Sequence, residues 1–312
     1  MNYMVKIAKK NITNITIRKR KFQVNYWVMC MPALIWLFFF QLVPIVGIIM
    51  AFQDYKPRKG LFGSEFIGFE NFEYLFSLSE VWRIISNTVI IAVAKILLSL
   101  IVPLVFALLL NAVKNVGYKK IVQTLTYLPH FISWVILGGI IGSIFSYDGI
   151  FNTLTSFFGK APEVWMGDAE FFRGMIIASD IWKGFGFGAI IYLAALAGVD
   201  IALYEAASLD GCNEWQKLWH ITLPGISTTI VLIAVLSVGN VLNAGFDQIL
   251  SMYNTMVLSS SDIIDTWVYR MGLIKMDFAL STAAGLVKSF FGMVLILVSY
   301  KLSSKFTDYK VF

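Results

Sequence analysis

Six apolar stretches, roughly 27–52, 87–110, 125–147, 175–198, 227–246 and 282–301, divide the chain. Each is long enough to cross about 30 Å of hydrocarbon as a helix. Within a bilayer a backbone N–H or C=O finds no water, so each stretch must satisfy its own hydrogen bonds. Composition points the same way. Of 312 residues, 58% are hydrophobic and 14% charged, with a mean hydropathy of +0.74, against about 25% charged in a soluble domain. A soluble enzyme, a disordered tail and a disulfide-rich module are thereby excluded. The first stretch, from Trp27 to Phe52, is too long for a signal-peptide core and has no small-residue cleavage site behind it, so it reads as a retained span.

Charge gives the direction. With an even number of spans both termini share a side. Fourteen Lys and Arg fall on that side, seven of them before Trp27, whereas eight fall on the other. The positive-inside rule therefore puts both termini of this multi-pass protein in the cytoplasm. The net charge of +6 marks topology and lipid contact, not nucleic acid, because the basic residues cluster at the ends of apolar runs. The expected organisation is a basic cytoplasmic segment over 1–26, a six-helix transmembrane domain over 27–302 and a cytoplasmic tail over 303–312. The fold class is all-α and polytopic.

The cytoplasmic loop over 203–224 carries the most information. Tyr204-Glu205-Ala206-Ala207-Ser208-Leu209 reads as a short helix, Gly211 as a stop in the left-handed region, and the stretch to Ile221-Thr222-Leu223-Pro224 as a second amphipathic helix ended by proline. Ala206 and Ala207 permit close approach of another surface, with Glu205 and Asp210 at its edge. Glu-Ala-Ala, a Gly six residues after the Glu, and Ile-x-Leu-Pro together resemble the EAA loop of binding-protein-dependent ABC importer permeases. Phe66-Ile67-Gly68-Phe69-Glu70-Asn71-Phe72, Trp165-Met166-Gly167-Asp168 and Asp180-Ile181-Trp182-Lys183-Gly184-Phe185-Gly186-Phe187 are similar to MalF-like sugar permeases. Tyr127 to Trp134 and Ser261 to Thr266 are similar to the LplB/YteP-like branch, which is linked to oligosaccharides released from polysaccharides.

The resemblance implies a type I (MetI-like) transmembrane domain in which Glu205, Ala206, Ala207, Asp210 and Gly211 contact an ATPase. It also implies a second homologous permease subunit, two ATP-binding subunits and an extracytoplasmic solute-binding protein. This chain would bind no cofactor, since ATP and its magnesium belong to the ATPase; it has no phosphate-binding loop of the Walker type. In the maltose system the positions matching Lys183, Gly184 and Phe187 face the sugar.

An ionisable residue inside a span costs about 2.5–3.5 kcal/mol on insertion scales and needs a partner or water. Lys95, Asp180, Lys183 and Lys288 are such residues. Asp180 and Lys183, three apart on one helix, are close enough to pair. They also stand at the start of the stretch that would line a substrate path, where an aromatic ring packs on a sugar face and a donor meets its hydroxyls. Asn240 and Asn243 place two amides on one face of span five, for helix–helix bonding or sugar contact; Ser133 is a further candidate. Lys95 and Lys288 read as snorkelling or pairing with the second permease. His130 and His220 read as capping or interfacial residues, and no catalytic or metal-binding set is expected. The expected function is the permease subunit of an ATP-driven oligosaccharide importer, the sugar perhaps acidic. Its rivals are a permease for another solute, a stand-alone secondary transporter, and a polytopic membrane enzyme.

Overall fold

The computed structural model describes residues 25–238 and 242–306, the side chains of 300 and 302–306 excepted. The expectations for segment 1–24, Asn240 and tail residues 307–312 lie outside the described residues.

Four helices are long and apolar enough to cross a membrane unbroken. They lie within α1 (Asn25–Phe52), α3 (Ser79–Ala112), α6 (Ala169–Ala197) and α12 (Phe278–Phe306). Two further crossings are bent pairs: α4 (Val116–Phe131) with α5 (Trp134–Ile144), bent by 100°, and α8 (Glu214–Gly225) with α9 (Ser227–Val238), bent by 58°. The third and fifth expected spans are therefore broken. In the third, Pro129 tightens the last turn of α4, and Ser133 restarts the chain as N-cap of α5, its hydroxyl accepting the Ile136 N–H at 3.3 Å. In the fifth, α9 ends at Val238, and residues 242–245 leave helical geometry before α10 (Phe246–Met252).

Proline 224 stands one residue before the end of its helix, as the sequence suggested: α8 stops at Gly225 and the chain bends by 58° into α9. The turn before the proline, Leu218–Thr222, is widened to π-helical spacing. The same device precedes Pro44, at Phe38–Leu42. A proline has no N–H to return and its ring crowds the carbonyl four residues back, so a wider preceding turn lets the helix continue.

The core follows the close pairing of α3 with α6. At the C-terminal end of α3 and α6, Ala107, Ala189, Tyr192, Leu196 and Ile226 pack together. Toward the N-terminal ends of the same two helices, Ile91 and Ala92 meet Phe172, Met175 and Ile176, along with Leu137 of α5 and Ile249 of α10. Gly186 permits the tight approach of α4, since a Cβ there would overlap the Thr126 carbonyl. Near the N-terminus of α3, α2 (Glu70–Ser77) and α11 (Ile264–Tyr269) pack on α3 and α12 through Leu75, Ile84, Trp267 and Leu280. A two-residue antiparallel pair, β1 (Gln53–Asp54) with β2 (Glu65–Phe66), follows α1. The apolar window of α1 has no buried residue; its side chains are left for lipid or another chain.

Candidate functional site: the coupling loop and the membrane-interior polar groups

Between α6 and α8 the chain forms α7 (Ile201–Leu209), opened by Asp200, whose carboxylate accepts the Ala202 N–H at 2.9 Å. Gly211 closes it with φ +79°, which lets the Cys212 N–H reach the Ala207 carbonyl at 2.9 Å and the Gly211 N–H reach Ser208 at 3.2 Å. These are the bonds of a Schellman cap, and a residue with a Cβ would pay about 1–2 kcal/mol to hold that φ. Asn213 then caps α8, with reciprocal bonds to Gln216. Of the five expected contact residues, Glu205, Ala206, Asp210 and Gly211 are exposed and only Ala207 is buried. Tyr204 anchors the loop from beneath, its hydroxyl 2.9 Å from Thr222 Oγ1. The sequence reading missed the apolar part of this surface: Leu209 is 90% exposed, Trp215 70% and Trp219 62%. The signal was present, since a tryptophan or leucine on a polar loop needs a cover that the chain does not supply.

The second group lies within the helices. Lys183 is the central residue of the 29-residue α6. Its ammonium donates to the His130 carbonyl at 2.7 Å and stands 5.3 Å from the centre of the Trp134 ring. The His130 ring stacks on Phe187 with centroids 4.0 Å apart and planes within 1°. The break between α4 and α5 thus delivers three partners to α6: a freed carbonyl, an imidazole and an indole. Phe187 and Ser133 are exposed, and a Cβ on Gly184 would meet open space. Lys183 and Phe187 thus form one cluster with His130 and Trp134, two residues the sequence reading did not place there.

Asp180 does not pair with Lys183. It faces Lys95 of α3, with Nζ and Oδ1 3.5 Å apart. Lys95 is buried, and it also donates to the Ala244 carbonyl at 2.8 Å and to the Gln248 side-chain oxygen. Gln248 in turn donates to Ile176 O at 2.7 Å and Ser179 Oγ at 2.9 Å. Lys95 is thus neither snorkelling nor left for a second subunit. It ties α3 and α6 to the non-helical residues that interrupt span five, satisfying a carbonyl the helix break frees. Lys288 is likewise paired within the chain, with both oxygens of Asp265 at 2.6 and 2.7 Å. Asn243 is exposed and lies in the non-helical linker.

Outside the spans, Arg270 forms a two-pronged pair with buried Asp262. The Asp262 hydrogen bond raises the Arg270 pKa above its ordinary value despite partial burial.

Comparison with known proteins identifies this architecture. The family described as binding-protein-dependent transport system inner membrane component matches residues 106–307. The chain belongs to this family of importer permeases. It is 39% identical to Protein LplB of Bacillus subtilis (strain 168), across 92% of this chain and 90% of that one. It is 38% identical to the polygalacturonan/rhamnogalacturonan transport system permease protein YteP of the same organism, across 92% and 89%. Among solved structures it resembles a bacterial ABC transporter involved in the import of the acidic polysaccharide alginate, with a TM-score of 0.86, 35% identity and coverage of 93% of this chain and 98% of that one. A second similar structure, with TM-score 0.86, 34% identity and coverage of 94% and 99%, is the alginate transporter in complex with an alginate pentasaccharide-bound periplasmic protein. The permease is therefore an all-α membrane protein of the ABC importer class.

Proposed function

We propose that this permease carries oligosaccharides released from an acidic polysaccharide, and that Lys183 is the group that meets their negative charge. The observation that carries the reading is the placement of this cation. It stands at the middle of a long apolar helix, held by a carbonyl and an indole face, with no carboxylate paired to it among the described residues. A lysine ammonium has three donors. The His130 carbonyl takes one of Lys183's, leaving others for a uronate carboxylate or sugar hydroxyls. Phe187 and Trp134 supply the flat apolar surface against which a pyranose ring packs. Relatives named for polygalacturonan/rhamnogalacturonan and alginate support the acidic class.

In this reading the chain catalyses no reaction itself. A periplasmic or lipid-anchored binding protein delivers the sugar to the outer face, and a second homologous permease completes the path. Two ATP-binding subunits holding ATP and magnesium dock on the exposed surface of Glu205, Ala206, Asp210 and Gly211, with Leu209 and Trp215 beside it. Their movement, passed through α7 into α6 and α8, switches the pair between inward- and outward-facing states. Both termini lie in the cytoplasm, beside the ATPase.

The test is transport in proteoliposomes holding the complete importer and its binding protein. Oligogalacturonates should stimulate ATP hydrolysis more than neutral oligosaccharides of equal length. Lys183→Met should raise the half-saturating concentration of the acidic sugar by about tenfold, the loss of roughly one charge-assisted hydrogen bond, with the neutral sugar unaffected. Equal effects on both sugars would remove Lys183 from charge recognition.

A further inference from the structure

Asp265 and Lys288, which the substrate reading leaves unused, stand at the meeting of two clefts. One, of about 430 Å³, is lined by Asn243, Asp265, Lys288 and Ser289, with Gly285 and Gly292 contributing bare backbone. The other, of about 530 Å³, shares Asp265 and is walled by Phe246, Tyr269 and Phe278, the first two rings lying 5.8 Å apart. The ion pair between them is not closed off: the side chains of Lys288 and Asp265 are 23% and 24% exposed. Lys288 directs two short bonds to the two Asp265 oxygens, so one of its three donors remains, as does acceptor capacity on each oxygen. The exposed Asn243 amide makes no hydrogen bond among the described residues, and Ser289 spends only its proton, on the Gly285 carbonyl at 2.8 Å.

A pair that served structure alone would be expected to have its remaining valences met by neighbouring protein groups, because partly satisfied charges in a low-dielectric setting are costly. Here the unmet valences are a cationic donor, two carboxylate acceptors, an amide and a hydroxyl, gathered in one cleft, while the rings of Phe246, Tyr269 and Phe278 belong to the neighbouring cleft that shares Asp265. That combination suits a hydroxyl-bearing ring, whose vicinal hydroxyls bridge carboxylate and ammonium. The cleft is linked to the Lys183 region through the same linker. Asn243 faces the cleft, the next residue's carbonyl accepts from Lys95, and Lys95 pairs with Asp180, three residues before Lys183.

We propose that the Asn243–Asp265–Lys288–Ser289 cleft is a second sugar-ring subsite, which grips an oligosaccharide at a unit other than the one met by Lys183 and Phe187. This rests on the oligosaccharide reading above. It follows that the permease selects for chain length: a short sugar occupies one subsite, a longer one both.

The test uses the complete reconstituted importer with two probes, digalacturonate and tetragalacturonate. Asn243→Leu and Ser289→Val leave the ion pair in place; the joint change Asp265→Leu with Lys288→Met removes both charges together. In each variant the half-saturating concentration of tetragalacturonate should rise about tenfold, as expected for one lost hydrogen bond to a charged or desolvated group, while that of digalacturonate stays within about twofold. An unchanged tetragalacturonate response overturns the subsite, as does an equal shift for both probes. Loss of the second permease on purification of the variants, with transport by the residual complex unaltered, assigns the cleft to a subunit interface instead and also overturns it. If the unmodified importer responds to neither probe, the substrate reading fails, and the subsite with it.

Discussion

The 203–224 loop and the membrane interior treat polar and charged residues in opposite ways. On α7, Glu205 and Asp210 are bare, and Leu209 and Trp215 stand uncovered beside them. Within the helical region, by contrast, Lys95 of α3 meets Asp180, Gln248 and the Ala244 carbonyl, Lys288 of α12 meets Asp265 of α11, and Lys183 of α6 meets a carbonyl and an aromatic face. The difference is one of solvent. In water an unpaired carboxylate costs little and can wait for a partner, whereas in hydrocarbon it must be compensated on folding. Substitution of the buried Lys95 should therefore act first on the fold, and substitutions on the loop first on coupling.

That contrast can be broken by experiment, beginning with the largest cost to the fold. Lys95→Met strands Asp180, Gln248 and the Ala244 carbonyl, and removal of one member of a buried pair costs about 3–5 kcal/mol. The variant should lose yield and midpoint temperature in detergent, and Asp180→Asn added to it should recover part of the loss. A Lys95→Met protein as stable as its parent would mean that water, not this lysine, satisfies the break. Gly211→Val comes next. Holding φ near +79° with a branched side chain costs about 1–2 kcal/mol, and the Schellman bonds that aim α7 would be lost. Sugar-stimulated ATP hydrolysis should fall at least about tenfold with membrane insertion intact, as read by proteoliposome assay and surface labelling.

Ser133→Ala removes only the cap of α5, a cost of about 1 kcal/mol. It should lower the midpoint temperature slightly, and Ser133→Asn should restore it; a transport defect without that stability change would instead give the exposed hydroxyl a role on the path. Glu205→Ala should cost the fold least, since the side chain is exposed and unbonded, yet abolish coupling. A Glu205→Ala importer with full sugar-stimulated ATPase would remove this residue from the ATPase contact. One that loses stability instead would collapse the distinction between loop and interior.

The two regions also differ in how far they could be read from residue order. In α7 the cap, the helix and the stop are local: Asp200, the small residues and Gly211 act within one or two turns, so the left-handed residue and the exposed face followed from spacing. Pro224 also acted locally, since α8 stops one residue after it at Gly225; only the widened turn before it did not follow from spacing. Within the membrane, spacing placed Asp180 and Lys183 on one helix and suggested that they pair. It could not show Lys95 reaching Asp180 from α3, 85 positions away in the chain, because a charge three residues off on the same helix and one on a neighbouring helix compete on distance alone. His130 and Trp134 were missed for a related reason. They reach Lys183 and Phe187 only because α4 and α5 part by 100° between them, and a run of apolar residues does not announce where it bends.

What the sequence by itself determined is everything that follows from transfer to hydrocarbon and from short-range geometry. The apolar runs dictate helices, and the Glu205–Gly211 order dictates a capped, exposed turn. The tertiary structure alone decided which crossings break and which charges meet. The physical reason is that hydrophobicity sums over neighbours in the chain, whereas the satisfaction of a buried ammonium or a freed carbonyl depends on atoms that only folding brings within 3 Å or so.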